Sequence, residues 1–225
     1  MSTECVTYLF DSEEIAFMAS SMGYRTLTGF DFGETAFGAD EAVNILSSLV
    51  NRGVYENTQE HFRLNEPFRA MITMMCECGQ LLCIRFVDDS RSELCCYLSE
   101  GKMLVCSLFC GKTRLTLTDE SGLWELMLSD GALPPEKDGL QHRLPQYTAQ
   151  ELSELLSDGM LCGDNEITVW MERKNTTLGI SADIILAQRA LGNVLITRKE
   201  GYTEQYPYTK EKLRELLSTL LEMSL

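Results

Sequence analysis

The candidate metal ligands of this chain are its cysteines, because several of them lie close together in the sequence. Cys76 and Cys78 are separated by one residue, and Cys83 and the adjacent residues Cys95 and Cys96 follow. Structural zinc sites commonly use cysteine pairs separated by two residues, with a second matching pair. This chain shows neither feature, and adjacent residues of a strand point to opposite faces. We therefore predict no metal centre and no cofactor, and expect these thiols to be small core side chains.

The histidines, the acidic pairs and the one Gly-Lys-Thr segment could also be catalytic, but each lies where its residue type has a structural explanation. The chain contains only 2 histidines, His61 in a predicted turn and His142 in a Pro/Gly-rich stretch. Asp88-Asp89 and Asp119-Glu120 occupy a turn and a helix start, where acids are favoured. Gly111-Lys112-Thr113 lacks the upstream glycine of a phosphate-binding loop. We predict no catalytic residues. A Cys–His pair assembled from distant positions, and with it an enzyme of unrecognised type, stays open as an alternative.

The charge balance limits the classes of partner. Lys and Arg number 19 against 34 Asp and Glu, for a formal net charge of -15. Such a chain repels phosphate backbones and anionic lipid, so neither nucleic acid nor membrane is an expected partner. The first residues contain no basic region typical of a secretory signal, and no apolar run approaches the roughly 20 residues that span a bilayer. The odd number of cysteines, 9, is typical of free thiols. We expect a cytoplasmic protein.

Helix and turn signals organise the first half. Asp11 or Ser12 begins a first helix, and Asp40 begins a second that ends at Gly53. A short hairpin is predicted over residues 54–64, and Asn65 then begins a third helix. This order of helix, hairpin and helix predicts an N-terminal winged-helix-like unit.

A change to period two predicts a sheet after these helices. Residues 80–118 alternate with turn signals between them and indicate about four antiparallel strands, and Asp119 then begins a helix. Thr148 and Glu151 form a capping box, four more strands are indicated, and Thr209 begins a terminal helix. We predict an α+β fold of two related helix–antiparallel meander–helix halves that share a sheet.

The domain boundaries follow from a stretch rich in glycine and proline. Residues 1–130 form the predicted N-terminal half, residues 131–147 a linker and residues 148–225 the C-terminal half. Because the halves are expected to share a sheet, we predict one compact unit.

The most informative feature is the strand segment over residues 81–110, where both alternating faces are mainly apolar. A sheet with one solvated face alternates between apolar and polar residues. Either helices of this chain cover both faces, or one face is reserved for a protein partner or a second copy of the chain. In the second case Phe86, Tyr97 and Phe109 are the predicted contact residues. In the second half, polar residues such as Asp183 predict one solvated face.

Three aromatic residues near the C-terminus offer a second candidate surface. Tyr202, Tyr206 and Tyr208 have the even spacing of one strand face. They predict either an aromatic contact surface or packing against the terminal helix.

The order of these segments resembles a known family. The stretches AVNILSSLVNRGV (residues 42–54) and FRLNEPFRAMITMM (residues 62–75), the early helix and the following meander are similar to the EspG-like chaperones of ESX (type VII) secretion and related proteins of Gram-positive bacteria. The resemblance is one of pattern order over most of the chain. It implies a non-enzymatic bacterial protein that binds a helical secretion substrate in the cytosol. It assigns no site residues.

A second possible class of function is DNA binding. The segment over residues 40–75 also fits a winged-helix transcription regulator. Its candidate recognition helix carries Arg69 and few other basic groups, which disfavours DNA binding.

Overall fold

The chain divides into two compact units in a computed structural model. The structure describes residues 6–28, 37–58, 61–86, 93–99, 101–129, 131–136, 147–148, 150–151, 167–179, 181–189, 192–199 and 202–223. The first unit comprises Met1–Leu81 and Cys95–Asp119, and the second comprises Leu82–Leu94 and Glu120–Leu225. The predicted linker, residues 131–147, therefore falls within the second unit. That the two halves form one compact body stays a prediction.

The first unit contains the predicted order of helix, hairpin and helix. Its helices are α1 (Ser12–Ser21), α2 (Ala39–Asn51) and α3 (Glu66–Glu77). Between α2 and α3, strands β2 (Tyr55–Asn57) and β3 (Phe62–Leu64) pair antiparallel. The hairpin is thus confirmed.

Local signals account for the boundaries of α1. The Glu14 carboxylate accepts a hydrogen bond from the backbone N–H of Asp11 at 3.1 Å, which satisfies a donor at the helix start. Gly23, just beyond the helix, has a φ of 87°. This left-handed conformation favours glycine and ends the helix.

The first unit also contains an antiparallel sheet. Its strands are β1 (Val6–Phe10), β5 (Leu94–Ser99), β6 (Lys102–Phe109) and β7 (Lys112–Thr118), in the spatial order β1, β7, β6, β5. Three of these were predicted, but β1 was not. It contains only 5 residues and is followed at once by acids. Its strand partner is β7, where Val6 lies opposite Leu117, and such distant pairing leaves no local signal.

The second unit also contains antiparallel strands. Strand β4 (Gln80–Phe86) is followed in spatial order by β8 (Ile167–Asn175), β9 (Ser181–Arg189), β10 (Gly192–Lys199) and β11 (Tyr202–Pro207). All five were predicted within a few residues. The α+β class with antiparallel meanders is confirmed.

Helices α4 (Glu120–Ser129) and α5 (Lys210–Glu222) complete the second unit. The apolar stripe of α5 is buried through Leu213, Leu217 and Leu220. The Arg173 guanidinium on β8 donates to the backbone carbonyl of Leu221 at 2.7 Å. This bond ties the last turn of α5 to the sheet and satisfies one of its terminal carbonyls.

Two predicted helix caps are confirmed in atomic detail. Thr148 N–H donates to the Glu151 carboxylate at 2.7 Å, and Glu151 N–H donates to Thr148 Oγ1 at 3.2 Å. This reciprocal pair is a capping box. The leucines expected to follow it, at positions 152, 155 and 156, lie outside the described residues. Thr209 caps α5 by accepting a hydrogen bond from Lys212 N–H at 2.9 Å.

Candidate protein-binding surface

Most of the two-sided apolar segment is core. Both faces of the central strands are buried at Leu82, Ile84, Cys95, Cys96, Tyr97, Leu104, Val105 and Cys106. In the first unit, helix α3 packs on the sheet, where Tyr8 of β1 contacts Phe68 of α3 with ring centroids 4.9 Å apart. Burial by the chain itself therefore explains the apolar pattern through the middle of the strands.

The three predicted contact residues lie in different environments. Tyr97 is 0% exposed, and its hydroxyl donates to the Thr28 carbonyl at 2.8 Å. It presents no surface to a partner. Phe86 is partly exposed at the end of β4 and belongs to the second unit. Phe109 is 49% exposed at the end of β6. Phe109 is the residue of the three that offers a large apolar surface.

The hairpin between β6 and β7 carries Phe109 at its tip. Cys110 and Gly111 have φ values of 51° and 76°, and Phe109 lies opposite Lys112. A two-residue turn with both φ angles positive has the twist that suits a tight hairpin. Leu108, the preceding residue, is 52% exposed. Because neighbours on a strand point to opposite faces, the hairpin exposes apolar side chains on both sides of its tip.

Arg114 links the tip to the edge strand. On β7 it lies opposite Leu9 of β1 and opposite Ser107 of β6. Its Nε donates to Ser107 Oγ at 3.1 Å, and its guanidinium carbon lies 5.5 Å from the centroid of the Phe109 ring. Leu9 is also exposed. We call Leu9, Leu108, Phe109 and Arg114 together the apolar tip.

Ion pairs hold the strands of the apolar tip to the helices. Lys112 Nζ lies 3.0 Å from a carboxylate oxygen of Asp11, the residue that precedes α1. Arg52, just after α2, lies 2.7 Å from the buried Glu14 carboxylate and also donates to the Leu9 carbonyl. One terminal nitrogen of Arg52 donates to both oxygens of the Glu14 carboxylate, at 2.8 and 2.7 Å, while the other donates to Leu9, so the guanidinium is held in one orientation. The strands that carry the apolar tip are therefore held to helices α1 and α2.

Two of the cysteines, Cys76 and Cys106, lie where thiolate formation is disfavoured. Burial raises the pKa of Cys106 to about 12 and, with the nearby Glu77 charge, that of Cys76 to about 11. Nucleophiles and metal ligands act as thiolates. Within the described residues, no group of three or more His, Cys, Asp or Glu is placed to hold a metal ion.

The remaining catalytic candidates do not assemble into a site. His61 is exposed in the β2–β3 turn, where its backbone N–H donates a hydrogen bond to Thr58 Oγ1 at 3.2 Å. His142 and the pair Asp88-Asp89 lie outside the described residues. Arg69 on α3, the basic group of the winged-helix alternative, lies 3.9 Å from Glu66 of the same helix. Among helices in the described part of the chain, none is long and apolar enough to cross a membrane.

The three C-terminal tyrosines do not form one surface. Tyr208 follows the end of β11, is buried, and donates its hydroxyl hydrogen to the Pro134 carbonyl at 3.0 Å. Tyr206 packs under the Lys212 ammonium of α5, 4.5 Å from the ring centroid. Tyr202 is exposed. Packing near the start of α5 therefore accounts for two of the three.

The apolar tip includes residues that the sequence did not single out. Leu9 was missed because β1 was missed, and Arg114 was missed because its neighbours come from two other strands. Leu108 had a usable signal. It directly precedes Phe109 and the predicted turn at Gly111-Lys112. A residue this close to a turn lies at a strand end, where a sheet is often not covered by other elements.

The overall fold has a counterpart among solved structures. No protein-family model and no curated protein sequence matches the chain. The fold is similar to that of the Mycobacterium tuberculosis type VII secretion system chaperone EspG5, solved in complex with a PE25-PPE41 dimer. The two share 9% sequence identity with a TM-score of 0.62, over 96% of this chain and 96% of that chain. At this identity the likeness concerns the fold.

Proposed function

We propose that this protein is a non-enzymatic chaperone or adaptor that binds a protein partner in the cytoplasm, and that the partner is a helical type VII secretion substrate. The observation that carries the proposal is the fold likeness, which extends over 96% of both chains to a secretion chaperone solved with a protein dimer bound. A match over nearly the whole length indicates the same arrangement of elements. Fold alone does not determine function, so the binding site must support the proposal.

The apolar tip supplies that support within the first unit. Leu9 and Phe109 lie on one face of the tip and Leu108 on the other. Exposed large apolar side chains that are grouped together often mark interaction sites. Leu108 and Phe109 are about half exposed, whereas Met103–Ser107 of the same strand are buried. Aromatic residues beside arginine are typical of the energetic centre of protein interfaces. We place the partner contact on Phe109 and Leu108, with Phe86 a separate candidate on the second unit.

The experiment is affinity purification from the native host with a matched pair of variants. Phe109→Asp places a charge on the apolar tip, whereas Phe62→Asp places the same charge at a residue of nearly equal exposure, 47% against 49%, on β3. We expect a stoichiometric protein partner to co-purify with the wild type and with Phe62→Asp. With Phe109→Asp the amount of co-purified partner should fall by about tenfold or more. Native mass spectrometry measures the complex.

Two results would overturn this function. One is that the wild type purifies without a stoichiometric protein partner, which removes the chaperone role. The other is that Phe109→Asp and Phe62→Asp retain the partner equally, which removes the tip as the contact. Both variants are first checked for a cooperative thermal transition like that of the wild type, because an unfolded variant loses partners for a trivial reason.

A further inference from the structure

Strand β1 forms an outer edge of the sheet in the first unit. Among the strands that the structure describes, it stands at the end of the spatial order, and its paired neighbour is β7. The outward N–H and C=O groups of such a strand can pair with a strand of another molecule. Val6 and Leu9 of β1 are also exposed. The outward backbone groups of β1 therefore decide whether another strand can add there.

The strand register determines which backbone groups point outward from β1. Phe109 and Lys112 flank a two-residue turn and lie opposite each other, so they exchange hydrogen bonds. Hydrogen-bonded pairs alternate along an antiparallel ladder. Every second residue of β7 from Lys112 therefore bonds toward β6, and the residues between them bond toward β1. These intervening residues lie opposite Val6, Tyr8 and Phe10. The backbone groups of Thr7 and Leu9 consequently point outward.

Arg52 occupies part of this outer edge. One of its terminal nitrogens donates to the outward carbonyl of Leu9, while the other donates to the buried Glu14 carboxylate. Its guanidinium carbon lies 4.8 Å from the centroid of the Phe10 ring. Ser48 Oγ donates to the same carboxylate at 3.2 Å. Contacts with α1, α2 and β1 thus hold the guanidinium against the edge.

We propose that Arg52 keeps the outer edge of β1 closed to a second copy of this chain. If two copies paired antiparallel about a two-fold axis at Tyr8, Thr7 of each would lie opposite Leu9 of the other. In each of these pairs, one of the two exchanged hydrogen bonds needs the Leu9 carbonyl as acceptor. The Arg52 guanidinium already occupies that carbonyl. The register is self-complementary, and Arg52 blocks it. This role is separate from the partner contact at Phe109.

Net charge opposes the same pairing, but over a longer range. Two copies would bring together molecules that each carry -15. Salt screens this repulsion, so that at about 0.5 M it extends only roughly 4 Å. The contact between Arg52 and the Leu9 carbonyl is a short-range hydrogen bond that salt screens less. Measurements at high salt therefore separate the block by Arg52 from the repulsion between copies.

The test compares the self-association of variants by sedimentation velocity in about 0.5 M salt. The reference is Glu14→Gln, which keeps Arg52 on the Leu9 carbonyl. The open-edge variant combines Glu14→Gln with Arg52→Met, which removes the guanidinium without leaving a buried charge unpaired. We expect the wild type and the reference to stay monomeric. The open-edge variant should form a dimer whose Kd is at least about tenfold lower than that of the reference.

Thr7→Pro tests whether the dimer forms through β1. The Thr7 N–H points away from β7, so proline fits this edge position and removes a donor that the pairing needs. Thr7→Pro in the open-edge variant should therefore abolish the dimer. The matched control is Thr7→Val, which loses the same hydroxyl contact with Thr116, at 3.1 Å, but keeps the N–H. With Thr7→Val the dimer should remain.

Three results would overturn the proposal. The first is equal association of the reference and the open-edge variant. The second is a dimer that survives Thr7→Pro, because it forms elsewhere on the molecule. The third is a wild type that already dimerises and that Thr7→Pro converts to a monomer, because the edge is then open with Arg52 in place.

A second variant keeps the test decisive if the open-edge variant lacks a cooperative thermal transition. Arg52→Lys keeps a cation beside Glu14 but replaces two terminal nitrogens, which bond to different groups, with one. The contact with the Leu9 carbonyl should then weaken, and Arg52→Lys should associate more tightly than the wild type. Equal association of Arg52→Lys and the wild type would in that case overturn the proposal.

Discussion

The strands of the two units are buried in different ways. In the first unit, β6 is buried on both faces from Met103 to Ser107 and is exposed only at its two ends, at Lys102 and from Leu108 onward. In the second unit, β8 alternates, with Val169 and Met171 buried and Trp170 and Glu172 partly exposed between them. The comparison shows that apolar residues on both faces of a strand predict two covered faces. The exposed end of β6, beyond the covered part of the strand, is where we propose the binding surface.

The second unit adds a polar residue that is not solvated. Asp183 on β9 was expected to mark a solvated face, but it is 3% exposed. Arg198 on β10 lies opposite Asp183 and donates to both of its carboxylate oxygens from Nε, at 3.1 and 3.2 Å. The guanidinium also lies over the Trp170 ring, with its carbon 5.6 Å from the centroid. A buried carboxylate is tolerated here because it is paired with a cation.

The largest effect is expected from a pair of leucines in the same strand. Leu104 and Leu108 point to the same face of β6, because they are four residues apart. Leu104 is fully buried, whereas Leu108 is about half exposed. Leu104→Ala should lower the free energy of unfolding by about 3 kcal/mol, since it leaves a cavity. Leu108→Ala should cost less than about 1 kcal/mol. Chemical denaturation measures both, and equal losses would contradict the contrast between the covered strand and its exposed end.

A smaller effect is expected from arginines of the second unit. Arg198→Ala leaves the buried Asp183 carboxylate without its cation and should cost about 2 kcal/mol. Arg85→Ala is the matched control, because both arginines have side chains 36% exposed and Arg85 pairs with the half-exposed Glu93. Its loss should stay below about 1 kcal/mol. If the two variants lose equal stability in denaturation, the buried pair contributes no more than a surface pair.

Much of this fold was predictable because local signals agree with the final packing. Thr148 with Glu151 and Thr209 begin helices through bonds to nearby backbone groups, and these caps were read from sequence. Strands β4 to β11 were indicated by period two and turn residues. Strand β1 was not, because its pairing with β7 joins residues far apart in the chain.

The candidate site was less predictable, since exposure depends on which elements pack together. Tyr97 and Phe109 lie in the same two-sided apolar pattern, yet one is core and the other is exposed at the hairpin tip. The predicted turn at Gly111-Lys112 marks Phe109 as a strand end, but it does not show whether other elements cover that end. Asp183 shows the converse, because its burial depends on Arg198 from the neighbouring strand. Residue types predicted the strands, and tertiary contacts decided which of their residues are available to a partner.

The smallest effect concerns pH and the same buried carboxyl group. Burial raises the pKa of Asp183, and the Arg198 cation only partly opposes this. The unfolded chain loses this proton near pH 3.9, a typical Asp value, so above that pH the folded state holds more protons than the unfolded state. Stability contributed by this group must then fall as pH rises through the folded pKa. Asp183→Asn removes the titration. The unfolding free energy of the wild type minus that of the variant should therefore decrease as the pH rises above about 4, and should level off once the pH exceeds the folded pKa.

The Arg198→Ala background sharpens this last measurement. Without the guanidinium, the main force that lowers the pKa of Asp183 is gone, so that pKa should rise further. The decrease with pH should then be steeper and extend to higher pH. Denaturation curves at several pH values for the wild type, both single variants and the double variant provide the full cycle. A difference that increases with pH would mean that the ion pair outweighs burial and holds the carboxyl below its ordinary pKa. The strands of the second unit would then tolerate Asp183 because of its attraction to Arg198 alone. Their difference from the apolar strands of the first unit would be one of charge pairing instead of desolvation.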